Sequence, residues 1–93
     1  MEQQTITLNR QVITLIRIIN KAMSKMLANP EDVSALSIYN GKFEELDNLI
    51  SKMLYMNVNP HTQSIDMLSV DERNIFERSM KNANKMLLTV NYN

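Results

Sequence analysis

The stretch that decides the fold is residues 8–27, Leu8-Asn9-Arg10-Gln11-Val12-Ile13-Thr14-Leu15-Ile16-Arg17-Ile18-Ile19-Asn20-Lys21-Ala22-Met23-Ser24-Lys25-Met26-Leu27. Leu8, Val12, Leu15, Ile19, Ala22 and Met26 recur in steps of four and three, the spacing of a helix that packs along one seam. Drawn at ~100° per residue, the apolar residues fill an arc of ~220°, with Ile18 at one edge and Ile13 at the other. Two neighbouring helices account for most of that arc. Ile13 and Ile18 are left over and are expected to meet a second chain.

Outward from this stretch the punctuation is clear. The helix, expected over about 6–28, stops before Pro30, which has no amide hydrogen and disfavours helical geometry at the residue before it. Asn29 is expected to cap a second helix over about 30–56, with Pro30 at its first position and Glu31 and Asp32 beside its positive end. So short a turn makes an antiparallel helical hairpin. In the second helix Leu36, Tyr39, Phe43, Leu46, Ile50 and Met53 carry the seam, and the lone glycine, Gly41, lies off it.

Residues 57–68 break the periodicity and read as a loop, long for a connection between bundle helices. Val58, Ile65, Met67 and Leu68 are expected to tuck it against the bundle. Ser69-Val70-Asp71-Glu72 has the capping-box pattern. It opens a third helix over about 70–90, with a seam of Phe76, Met80, Ala83, Leu87 and Val90. The tail 91–93 is expected to fray. The expected architecture is a single all-α domain over 1–93: an up-down-up three-helix antiparallel bundle, forming a larger helical bundle by dimerisation.

Composition narrows the function. The 93 residues allow only a modest core, which dimerisation would supplement. There is no cysteine, so disulfide scaffolds and thiolate chemistry are excluded. His61 is the single histidine and stands in a polar loop without companion ligands, so no metal or cofactor is expected. One glycine rules out a glycine-rich phosphate loop, and the adjacent pairs Glu44-Glu45 and Asp71-Glu72 do not make an acid–base dyad. No catalytic residue is assigned. The most apolar run is interrupted by Arg17 and too short for a membrane span, and no signal peptide is read, so a cytoplasmic location is expected. The Asn, Ile and Lys usage suits a phage or a low-GC bacterium.

What remains is surface chemistry. Arg10, Arg17, Lys21 and Lys25 lie within ~80° of one another on the first helix, and no acid occurs between Glu2 and Glu31. Because this stripe is on the polar arc, it does not form a buried cationic pocket. The eight methionines include Met23, Met26, Met53, Met56, Met80 and Met86, mostly on or beside the apolar stripes, where methionine adapts to varied helical partners. The reading is a non-enzymatic interaction module (small regulator, inhibitor, adaptor or export-type chaperone) that binds another protein and forms a homodimer. Its expected interface is Ile13, Ile18, Asn20, Met23, Leu27 and Met86, with Asn20 setting register. The alternative is a small DNA- or RNA-binding regulator that uses Arg10, Arg17, Lys21 and Lys25 on phosphates.

Overall fold

The computed structural model describes residues 2–90. It is all-helical, with four helices that pack together: α1 (Glu2–Ala28), α2 (Val33–Tyr55), α3 (Gln63–Asp66) and α4 (Val70–Val90). The core joins one face of each long helix. Val12, Ile16 and Ile19 of α1 meet Leu46, Ile50 and Met53 of α2, all fully buried, together with Ile65 of α3 and Phe76 and Ala83 of α4.

The turn after α1 differs from the expected one. Asp32 is the N-cap of α2, its carboxylate accepting from the Ala35 amide at 2.9 Å. Asn29 instead accepts from the Glu31 amide at 3.2 Å, closing a local turn before the helix starts. Pro30 therefore lies in the turn, and α2 begins at Val33. Along α2 the buried position near the start is Ala35, whereas Leu36, expected on the seam, is 45% exposed. Gly41 is exposed, with open space where a Cβ would point, so no close contact explains it.

α2 ends in a Schellman arrangement. Asn57 takes φ 60°, its amide donates to the Leu54 carbonyl at 3.1 Å, and the Val58 amide reaches the Met53 carbonyl at 2.8 Å. Asparagine tolerates this left-handed conformation better than most side chains. Val58 then packs on the core.

The direction of α4 overturns the expected up-down-up order. The Arg78 guanidinium donates to Tyr39 Oη at 3.0 Å and lies 4.9 Å from the centre of the Phe43 ring. The next residue, Ser79, donates its hydroxyl to Asp47 at 2.6 Å, and Asn82 Nδ2, one turn beyond Arg78, donates to the same carboxylate at 3.1 Å. Earlier in α4, Asp71, Asn74 and Ile75 share a hollow with Tyr39 and Phe43. As α4 advances from 71 to 82, its partners on α2 advance from 39 to 47. The two helices run in the same sense, and the order is up, down, down.

The connection permits this. Returning from the end of α2 to the level of Tyr39 means climbing about 24 Å at 1.5 Å per residue. Residues 56–69, fully extended, reach about 46 Å. The long segment is thus a crossover that carries the chain back before α4 starts. It holds a short helix, α3, that the polar sequence did not signal. Ile65 is buried and Leu68 packs on the core, but Met67, also expected to tuck in, is 84% exposed. At the crossover's end the capping box forms: the Ser69 amide donates to Glu72 Oε1 at 3.0 Å, and the Glu72 amide to Ser69 Oγ at 3.2 Å. In α4, Phe76 and Ala83 are buried, while Met80 and Leu87 are half-buried. The Val90 side chain and the tail lie outside the described residues.

Candidate partner-binding groove

The crossover passes beside the first half of α1 and makes a groove there of about 700 Å³, open to solvent. Its α1 wall carries Ile6, Arg10, Ile13 and Arg17, and its other wall is Thr62, Gln63, Ser64 and Met67. Ile6 is 52% exposed, Ile13 is half-buried, and both arginines are exposed. Among the described residues no carboxylate lines the groove. The nearest acid in sequence, Asp66, is engaged elsewhere: its Oδ1 accepts from Arg73 Nη2 at 2.9 Å and lies 3.3 Å from His61 Nε2.

The four α1 residues follow a rule. Ile6, Arg10, Ile13 and Arg17 are separated by four, three and four positions. They form a second stripe at coiled-coil spacing, about 60° wide, alternating apolar and cationic. The first stripe is filled by α2 and α4, and the second has only the crossover along one flank. Seven residues rise about 10.5 Å, so the two isoleucines repeat at the same pitch as the two arginines. This stripe was readable in the sequence. A division of α1 into an apolar arc and a basic arc hides it, because the stripe straddles their boundary. Met67 and Thr62 could not have been found that way, because only the fold brings the crossover to α1.

Two oxygens on the groove walls, Asn9 Oδ1 and Thr62 Oγ1, are shielded from solvent and have no hydrogen-bond partner among the described residues. They add to the lining unmatched polar acceptors that an all-apolar helix seam would lack.

The rest of the expected basic stripe lies apart from this groove. Lys21 and Lys25 flank a smaller hollow of about 290 Å³, with Ile18 and Ala22 on α1, the N-cap Asp32, and Ala35 and Ile38 on α2. None of Arg10, Arg17, Lys21 and Lys25 forms an ion pair among the described residues. The expected interface set is likewise divided. Ile13 faces the crossover, and Ile18, half-buried, faces α2 on the opposite side. Met23 lines the hollow shared by α2 and α4. Asn20 is half-buried, its shielded Oδ1 without a hydrogen-bond partner among the described residues, Met86 is half-buried, and Leu27 is 78% exposed near the end of α1.

His61 sits edge-on to Phe76 at 5.8 Å between ring centres. Among the described residues no three His, Cys, Asp or Glu come together as a metal site requires, and no helix is long and apolar enough to cross a membrane. The groove offers chemistry for holding a ligand: two cations, three apolar side chains and a row of neutral hydrogen-bonding groups. No protein-family model matches this chain, and neither a curated protein nor a solved structure matches it.

Proposed function

We propose that this chain is a non-enzymatic protein-interaction module, a small regulator, inhibitor, adaptor or chaperone, and that its partner docks in the groove between α1 and the crossover. The observation that supports this reading is the second α1 stripe: Ile6 and Met67 stand 52% and 84% exposed beside two arginines that form no ion pair among the described residues. Exposed apolar side chains rimmed by polar and charged groups are the usual make-up of a docking site.

Site-specific photo-crosslinking tests it. A photoreactive side chain at Met67 is expected to capture a discrete protein from cells that express the chain. The same group at Leu88, exposed on α4 away from the groove, is expected to capture none. Equal labelling from both positions, or none from Met67, defeats the reading.

The second reading is a nucleic-acid-binding regulator, favoured by four cations on α1 that lack ion pairs among the described residues. Each phosphate contact would add to a steep salt dependence. Against it, the four do not line one continuous channel, and Lys21 and Lys25 share their hollow with Asp32. A mobility shift with duplex or single-stranded probes at low salt, lost on charge reversal of Arg17 and Lys21, would favour it over protein docking.

Self-association is the less favoured use of α1. A symmetric dimer through this helix sets two basic stripes against each other, and Ile13 and Ile18 do not share a face on which to compensate. Light scattering on the eluting chain across micromolar concentrations decides the point, with a monomer expected.

A further inference from the structure

We propose that the occupant of the groove is an acidic amphipathic helix whose apolar and carboxylate side chains alternate in the same four-three-four order as Ile6, Arg10, Ile13 and Arg17. This rests on the protein-docking reading above and adds the chemistry and register of the partner.

An α1 stripe stepping by four and three keeps facing a neighbour that is itself helical with the same steps, because both drift by about 20° per seven residues. An extended strand, at about 3.3 Å per residue, meets the 10.5 Å repeat only once in about three residues and alternates faces as it does so. The helical form therefore uses both repeats of the stripe. From Ile6 to Arg17 the wall is about 17 Å long, roughly three turns.

Charge fixes the rest. Among the described residues Arg10 and Arg17, both exposed, form no ion pair, and no acid lines the groove. Planar guanidinium groups recognise carboxylates with two parallel hydrogen bonds, which gives direction as well as attraction. Between them Ile13, with Ile6 and Met67 at the rim, supplies the apolar contact that a purely acidic strand or a phosphate backbone would leave unused. The neutral Thr62, Gln63 and Ser64 on the opposite wall exclude no sign of charge and leave the arginines to select it.

The test uses labelled synthetic peptides of about 14 residues, enough to cover the wall. One carries leucine and glutamate in the four-three-four order on a single helical face. The second has the same composition with that order scrambled. The third replaces each glutamate with lysine. Fluorescence anisotropy on the full chain is expected to show micromolar binding of the first and at least about tenfold weaker binding of the other two.

Arg10→Glu with Arg17→Glu is expected to weaken the first peptide about tenfold and to improve the third. Lys81→Glu with Lys85→Glu, on the exposed side of α4, leaves both unchanged. Arg10→Gln with Arg17→Gln gives an intermediate loss and guards against a folding defect in the reversal variant. Equal binding of the ordered and scrambled peptides, or indifference to Arg10 and Arg17, overturns the proposal. So does displacement of the first peptide by duplex DNA with a steep salt slope. If Met67 crosslinks a protein while the acidic peptide does not bind, the partner chemistry proposed here is wrong and the docking reading stands. If neither occurs, both fall.

Discussion

The two connections between the long helices solve opposite problems. The turn at residues 29–32 is short, and its hydrogen bonds are all local: Asn29 to Glu31, Asp32 to Ala35, and the Asp32 amide to the Asn29 carbonyl at 3.0 Å. It contributes no fully buried side chain. The crossover, residues 56–69, buries Ile65 and Pro60, packs Val58 and Leu68 on the core, and forms one wall of the groove. A short turn sets the direction of the next helix by geometry alone. A long one leaves direction open, and the apolar residues within it then decide where the chain goes. The turn should therefore be sensitive to capping chemistry and the crossover to lost volume.

The largest effect should come from Ile65→Ala. Ile65 is 1% exposed and joins the core from α3, so truncation removes buried methyl groups and leaves a cavity. A loss of about 2–5 kcal/mol in chemical denaturation is expected. The groove wall should loosen with it, seen as faster amide exchange at residues 62–68. A loss below about 1 kcal/mol would mean that the crossover is only draped over the core.

Asn57→Val comes next. The crossover leaves α2 through the one positive φ, 60°, among the described non-glycine residues. A β-branched side chain is disfavoured there, so about 1–2 kcal/mol should be lost. Asn57→Gly should be neutral or slightly stabilising, because glycine adopts this conformation freely. Equal losses from both variants would place the cost in the asparagine side chain rather than in the backbone.

Asp32→Ala tests the short turn, with an expected cost of about 1 kcal/mol for the lost N-cap. Asn29→Ala should cost less, since its carboxamide accepts only from Glu31 in the turn. If Asn29→Ala proves the more damaging, the cap belongs at Asn29.

These contrasts show what the sequence carried. The seams of Leu8, Val12 and Ile19 and of Phe43, Leu46, Ile50 and Met53 were legible because burial repeats with the helical period. The stop at Pro30 and the Ser69 capping box were legible because they are local chemistry. The direction of α4 was not. It is set by pairs such as Ser79 with Asp47, far apart in sequence, and nothing in either segment announces the other. The Asp32 cap was missed because Asn29 and Asp32 are both good caps, and the backbone around Pro30 selects between them. At the candidate site the α1 wall was legible in principle from its four-three-four spacing. The opposite wall depended on the route of the crossover, and was not.

The smallest effect separates two ways of holding the crossover down. Besides Ile65, it is tied to α4 by Asp66, whose Oδ1 accepts from Arg73 at 2.9 Å and lies 3.3 Å from His61. The Asp66 and Arg73 side chains are 58% and 42% exposed, so water and salt screen the attraction and ordering both costs entropy. Asp66→Asn keeps the size of the side chain and an acceptor oxygen but removes the charge. Its expected cost is under about 1 kcal/mol and shrinks further in high salt. Ile65→Ala, by contrast, should cost the same at any ionic strength, because burial of methyl groups does not depend on screening. If Asp66→Asn instead approaches the loss from Ile65→Ala, then the polar tie holds the wall of the groove, and Arg73, whose shielded Nε has no hydrogen-bond partner among the described residues, becomes the residue on which the crossover depends.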